Sequence, residues 1–411
     1  MKGTFLQYGA GNIGRGFLGQ LFSQAGYEVC FVDVNKEIIE ALNTNKRYPI
    51  NIVSSDKNEE IWIENVRGVD GTNILEVEKE IANADYMATA VGVNILPKIV
   101  PALSAGLKYR WKNGNTKPLN IIICENLIDA DKYLHSLLMN TFNEEEKILF
   151  EKTVALVEAS IGRMVPVMTD EMKNDNILRV CVERYCELPV DGATFIGELP
   201  DMPQLHPFSP FEYYIRRKLF IHNMGHAMAA YLGNLCGCEY IWQAIENPYI
   251  KLITERAMLE SAMCLSENYG IALSEIQQHI FDLQHRFANK ALGDTVLRVG
   301  RDTARKLSAN DRFCGAVSLC EDMGISTAYI SIGIAAGFCF NDDSDGTQKV
   351  LNSLKEDGIE FILDNICKID DKSRKYIYNY YDLIKNGASL KEILFAAECN
   401  HSMTYANRKI I

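Results

Sequence analysis

No part of the 411-residue sequence holds the roughly 20 consecutive apolar residues that a membrane-spanning helix needs. Its opening, MKGTFLQYGAGNIGRGF, enters a strand pattern at once and shows no signal-peptide cleavage site, so a cytoplasmic location is expected. Twelve cysteines are present without a single CxxC pair, the nearest approach being Cys236-Gly-Cys238. Disulfide-framework and zinc-cluster classes are thereby excluded, and reduced, mostly buried thiols are expected. An excess of positive charge is also missing: 42 Lys and Arg stand against 54 Asp and Glu, a net charge of −12. Neither nucleic acid nor an anionic membrane is therefore expected as a partner. Internal repeats and low-complexity tracts are absent too. What remains, 47% hydrophobic and 23% charged residues, is the composition of a globular protein long enough for two domains.

The first third alternates short apolar runs with helical patterns, as βαβ units do. TFLQY (4–8), EVCFVD (28–33), YMATAVG (86–92) and LNIIIC (119–124) read as buried strands. Helical patterns follow each of them, among them IGRGFLGQLFSQAG and NKEIIEALN. IWIENVRGVDG (61–71) reads as an antiparallel excursion. The Gly- and Pro-rich stretch 188–210 marks a boundary, and from about residue 209 the periodicity is almost wholly helical. The expected architecture is α/β: a Rossmann-type N-terminal domain over 1–200 and a mostly α-helical substrate domain over 201–411.

YGAGNIGRG sets Gly9, Gly11 and Gly14 in a GxGxxG turn between a strand and a helix, the context in which the motif binds a dinucleotide. Gly9 permits the tight turn, Gly11 the approach of a pyrophosphate, and Gly14 close helix–strand packing. The N–H groups around Asn12 and Ile13 would face the phosphates. Asp33, at the end of the second strand, would accept both adenosine ribose hydroxyls and repel a 2′-phosphate, favouring NAD over NADP. Asn126, after the fourth strand, would either reach the nicotinamide and its ribose or cap the next helix.

RRKLFIHNMGHA (216–227) resembles an interrupted helix, with polar side chains crowded among apolar ones and Gly225 where a helix prefers alanine. At 100° per residue, Lys218, Asn223 and His226 span about 140° of its circumference. Oxidation of an alcohol by hydride transfer needs a base for the hydroxyl proton and a donor for the developing alkoxide. Lys218 suits the base if burial and neighbouring cations (Arg216 and Arg217 adjoin it) lower its pKa. Asn223 suits the donor, and His226 either bonds the same oxygen or orients the lysine. Gly225 would let cofactor or substrate approach the backbone. The plain alternative is a buried structural hydrogen-bond network. His222 and His226 are spaced for zinc on a helix, but no third ligand is evident and no metal is expected.

RVGRDTARKLSANDR (298–312) holds five cations and two acids, against the acidic balance of the whole chain. It is either a phosphate-binding cluster or a solvated charged face.

These segments, with FVDVN, TAVG, LNIIICENL and RKLFIHNMGHAMAAYLG, resemble the polyol-specific long-chain dehydrogenases, in family order to about residue 384. The resemblance implies a Rossmann-type domain joined to a helical substrate domain and a metal-free, NAD-dependent reaction. Lys218 is then the general base, with Asn223 and His226 on the reacting oxygen and Arg298 and Lys306 near the substrate. The substrate expected is a small polyol or sugar phosphate, D-mannitol 1-phosphate exchanging with D-fructose 6-phosphate, with an unphosphorylated hexitol or a hexonate as the rival. Arg301, Arg305 and Arg312 are then left to hold the phosphate. Two departures stand out. Gly162 occupies the place of the family aspartate in EASIGRMVP, where Arg163 and Pro166 remain, and the tail beyond residue 384 falls outside the match.

Overall fold

A computed structural model describes residues 2–55, 57–166 and 168–406, and the chain divides between Tyr214 and Ile215 into two compact units. The Gly- and Pro-rich stretch 188–210 stays with the first unit, because two short strands within it pair with each other.

The strands of the first unit are β1 (Thr4–Tyr8), β2 (Glu28–Asp33), β3 (Arg47–Ile52), β4 (Glu59–Glu64), β5 (Val66–Asp70), β6 (Tyr86–Thr89), β7 (Leu119–Ile123), β8 (Val154–Glu158), β9 (Val180–Val182), β10 (Leu188–Asp191) and β11 (Leu205–Phe208). Six of them form a parallel sheet in the order β5-β2-β1-β6-β7-β8. This is the doubly wound dinucleotide-binding order, reversing between β1 and β6. The central strands are largely apolar because both faces of the sheet are covered, with Gln7 in β1 and Asn120 in β7 as buried polar exceptions. Alternate residues enter opposite cores: Phe5, Val29, Phe31 and Ile122 pack on one face, Leu6, Cys30, Val32, Ile121 and Ile123 on the other. The β4-β3-β9 sheet adds to the first of these cores through Tyr48, Ile50, Ile63 and Val180.

The excursion expected over 61–71 is half right. β4 pairs antiparallel with β3, whereas β5 joins the main sheet parallel to β2. Asn65, at φ +57°, turns the chain between them, so one apolar pattern serves two sheets.

The second unit is helical. Its innermost helix, Ala328–Phe338, is buried along its whole length and apolar all round, as a helix enclosed by others must be. The long helix Pro248–Tyr269 packs beside it, begun by the Asn247 side chain and stopped by Gly270 in the left-handed region. The tail beyond the resemblance forms a helix, Leu390–Ala406, that packs on both. Its His401 approaches the buried Glu260 carboxylate at 3.6 Å, and Glu260 in turn accepts the Tyr329 and Ile330 amides at the start of the innermost helix. Among the described residues no helix is long and apolar enough to cross a membrane.

Candidate functional site

The glycine-rich turn leaves β1 where the strand order reverses, and each glycine has a distinct surrounding. Gly9 lies at φ +97°, and a Cβ there would sit 2.5 Å from the Ala90 carbonyl oxygen. A Cβ on Gly14 would collide with the Gly9 carbonyl. Around Gly11 there is open space. Gly14 thus packs the helix start on the turn, Gly9 lets the turn pass close to Ala90, and Gly11 leaves open space, which fits a bound pyrophosphate. Gly11 and Asn12 are exposed and Ile13 half-buried. The helix that follows starts with a π-helical turn, Gly14–Leu18, before continuing as α over Gly19–Gln24. Gly14→Ala should therefore abolish nucleotide binding and lower the Tm, as calorimetry and cofactor titration would show, since the clashing Gly9 carbonyl is backbone and cannot swing aside.

Asp33 closes the turn from β2. Its carboxylate accepts the Ala10 amide at 2.7 Å and the Asn35 amide at 2.9 Å, leaving lone pairs on both oxygens for further donors. Just past β7, Glu125 accepts the amides of Val91 and Gly92, which follow β6, at 3.0 and 2.7 Å. This buried carboxylate was not singled out from sequence, although an acid ending an apolar strand was the available signal. Asn126 beside it is exposed in the loop before the helix Ala130–Met139. Asp129 holds the capping position of that helix, so capping does not account for Asn126.

Gly162 lies against Tyr185, whose ring would meet an added Cβ at 3.3 Å. Arg163 is buried and donates to the carbonyls of Gly16 and Glu183 and to Gln20. In this chain it ties the first helix to the strand layer.

The interrupted helix, which enters the second unit at Ile215, is continuous but changes pitch. Glu212–Arg217 is α-helical, Lys218–Asn223 is π-helical, and Met224–Leu235 is α again. Such wide turns within α-helices concentrate at functional sites. The i→i+5 repeat runs from Lys218 to Asn223, so these two lie closer to one side than α geometry would place them. His226 follows three residues on, along the same side. Lys218, Asn223 and His226 are all half-buried.

Gly225 does something other than expected. It is buried, and a Cβ there would lie 2.5 Å from the Met258 sulfur of the neighbouring helix. It admits a helix rather than a ligand. Because Met258 is flexible, Gly225→Ala should shift Tm by only a few degrees and leave kcat nearly unchanged, where a ligand-approach role would abolish it.

His226 stacks on Phe287, with ring centroids 4.8 Å apart and planes 7° from parallel. Its Nε2 lies 3.4 Å from the buried carboxylate of Asp294, whose other oxygen pairs with Arg298. Phe287 and Asp294 were both missed from sequence, the only signal being the four-residue spacing of Asp294 from Arg298. His222 is buried, and burial, reinforced by Arg286 and the neighbouring histidines and Lys218, pushes its pKa well below the usual imidazole range. It is neutral at pH 7. Among the described residues no group of three or more His, Cys, Asp or Glu side chains is placed to hold a metal ion.

The basic run lies against the same helix, since Arg312 reaches the Asn223 carbonyl at 3.5 Å. Its cations are not equivalent. Arg312 pairs with Asp311 at 2.7 Å, and Arg305 with Asp302 and Asp311 at 2.8 and 3.4 Å. Arg301 is exposed and makes no ion pair among the described residues. Lys306 is buried and donates to the Arg301 carbonyl. Burial, then Arg312 and Arg305, pull its pKa down to about 7.

Two family models match nearly the whole chain: the mannitol dehydrogenase Rossmann domain over residues 4–204 and the mannitol dehydrogenase C-terminal domain over 211–377. A mannitol-1-phosphate 5-dehydrogenase of Brevibacillus brevis is 36% identical over 89% of this chain and 93% of its own. One from Thermoanaerobacter pseudethanolicus is 34% identical over 94% and 98%. Among solved structures, a D-sorbitol dehydrogenase in substrate-free form superposes with a TM-score of 0.78 at 15% identity, over 96% of this chain and 94% of that one. Pseudomonas fluorescens mannitol 2-dehydrogenase, in a ternary complex with NAD and D-mannitol, gives 0.72 at 14% identity, over 97% and 94%. At those identities the two structures attest the fold.

Proposed function

The chain belongs to the mannitol dehydrogenase family of CH–OH oxidoreductases, and from that premise we propose that it interconverts D-mannitol 1-phosphate and D-fructose 6-phosphate with NAD. When bound, the nicotinamide supplies the acceptor for the hydride that leaves C5 of the polyol. Lys218 takes the proton of the C5 hydroxyl as that C–H bond breaks, and the Asn223 amide donates to the oxygen as it gains charge. In the reverse direction the Lys218 ammonium returns the proton to the new alkoxide. His226, held flat on Phe287, fixes the local hydrogen-bond pattern.

The observation that carries the phosphorylated substrate is the contact of Arg312 with the Asn223 carbonyl, which sets the basic run beside the reacting residues. A dianionic phosphate matches such a cluster, and arginine can meet it with two parallel bonds. The ion pairs favour a second reading. Asp302 and Asp311 already occupy Arg305 and Arg312, which would suit an uncharged hexitol better than an anion. Arg301 separates the two. Arg301→Ala should raise KM for mannitol 1-phosphate by about tenfold with little loss of kcat, the pattern of lost uniform binding. No such change would favour the second reading. The reaction itself is tested by supplying NADH with fructose 6-phosphate or with fructose and identifying the product by NMR. Mannitol 1-phosphate from the phosphate ester alone is expected, and equal reduction of fructose would move the hexitol reading ahead.

Asp33 supports NAD. Asp33→Ser should weaken NAD and narrow the gap to NADP, measured as the ratio of kcat/KM values. If the unmutated enzyme already uses both equally, the ribose assignment is wrong.

A further inference from the structure

We propose that Asp294 is a positioning residue that fixes the tautomer of His226 and connects it to Arg298. The backbone around Asp294 is clamped: its carbonyl accepts the Ile241 amide at 2.9 Å, and Val296 donates to the Glu239 carbonyl at 2.9 Å. Thr295 forms a bridge with Tyr240 and caps the helix Val296–Gly300. The carboxylate is therefore held where it is, 9% exposed, with one oxygen toward His226 Nε2 at 3.4 Å and the other on Arg298. Arg298 is 40% exposed and extends outward from the pair.

A carboxylate only accepts, so the neutral imidazole places its proton on Nε2 and keeps a lone pair on Nδ1. Stacking on Phe287 removes the ring's freedom to turn over. His226 then acts through Nδ1 as an acceptor, for the Lys218 ammonium or the substrate hydroxyl, and does not donate to the alkoxide while neutral. The charges around it are mixed. Asp294 is the anion beside it, and His226 shares with Arg286, Lys218 and His279 the surroundings of His222, whose imidazole, like that of His279, burial pushes well below the usual range. Through the shared carboxylate, any ligand that draws Arg298 away from Asp294 strengthens the hold of Asp294 on His226.

The proposal rests on the reading of His226 as a reacting residue, and its test runs first on the protein without substrate. Long-range ¹H–¹⁵N NMR of the histidine rings, with His226 assigned from a His226→Gln spectrum, reports tautomer and titration directly. The Nε2–H tautomer is expected in the unmutated protein, and a midpoint about one pH unit lower in Asp294→Asn, since the neighbouring anion is gone. Asp294→Glu should return part of that shift. In turnover, Asp294→Asn should lower kcat about tenfold, change KM far less, and displace the pH profile in the same direction. An Nδ1–H tautomer in the unmutated protein, or an unmoved midpoint in a folded Asp294→Asn variant, overturns the proposal. If the NMR shifts appear but mannitol 1-phosphate is not turned over, the substrate reading fails and the Asp294 assignment stands.

Discussion

Replacing Lys218 with alanine is expected to lower kcat for polyol oxidation by about 10²–10⁴-fold, the usual contribution of a positioned base. NAD affinity should be unchanged, because the nucleotide turn belongs to the other compact unit. Added primary amines should restore part of the rate if the missing group is the proton acceptor. Oxidation by the unmutated enzyme should rise with pH as Lys218 deprotonates, and ketose reduction should fall, since that direction needs the ammonium. Near-normal turnover of the alanine variant without added amine would falsify the assignment. The π-helical turn sharpens the expectation. It begins at Lys218 and ends at Asn223, so the proposed base and the proposed oxyanion donor share one local distortion.

Capture of a phosphorylated substrate should depend on pH in the opposite sense, through Lys306. Its pKa is pulled down to about 7, chiefly by burial and then by Arg312 and Arg305, so its charge is present below that pH and lost above it. The group binds fewer protons folded than unfolded between about pH 7 and its ordinary value near 10.4. Stability should therefore rise with pH across that window by this contribution, while attraction for a dianion falls. We expect kcat/KM for mannitol 1-phosphate to decline above about pH 7 while kcat for oxidation still climbs. Lys306→Arg should remove the decline, because arginine keeps its charge. Lys306→Met should raise KM for the phosphorylated substrate by about tenfold to a hundredfold at pH 6, where a charged contact is worth most, and by less at pH 9. An unchanged KM profile in the arginine variant would remove Lys306 from substrate capture.

Much of the first unit could be read from sequence because its signals are local. A strand that buries both faces sends apolar side chains to both sides, and TFLQY and EVCFVD do so through Phe5, Val29 and Phe31 on one and Leu6, Cys30 and Val32 on the other. In YGAGNIGRG, Gly14 is dictated by the Gly9 carbonyl of the same turn and Gly9 by its positive φ. The division of 61–71 between two sheets could not be read, since it depends on Asn65 adopting a positive φ and on partners distant in sequence. The same limit explains the site. Lys218, Asn223 and His226 sit close in sequence and stood out together. The groups that lie against His226, Asp294 and Phe287, come from segments more than 60 residues away, and each looks ordinary where it stands. Gly225 was misread for a related reason: a glycine shows that something comes close, and only packing shows that it is Met258. The basic run was visible as composition, but its pairing with Asp302 and Asp311 depends on side-chain geometry, which divides five cations into occupied and available ones.

The central claim is that a lysine-based polyol oxidation is directed to a phosphorylated substrate. It is tested most directly by measuring NAD reduction with D-mannitol 1-phosphate and D-mannitol side by side on the unmutated enzyme. The account predicts a kcat/KM at least a hundredfold higher for the phosphate ester, about 2.7 kcal/mol of added transition-state binding at 1.36 kcal/mol per tenfold. Equal values, or a preference for plain mannitol, would contradict it.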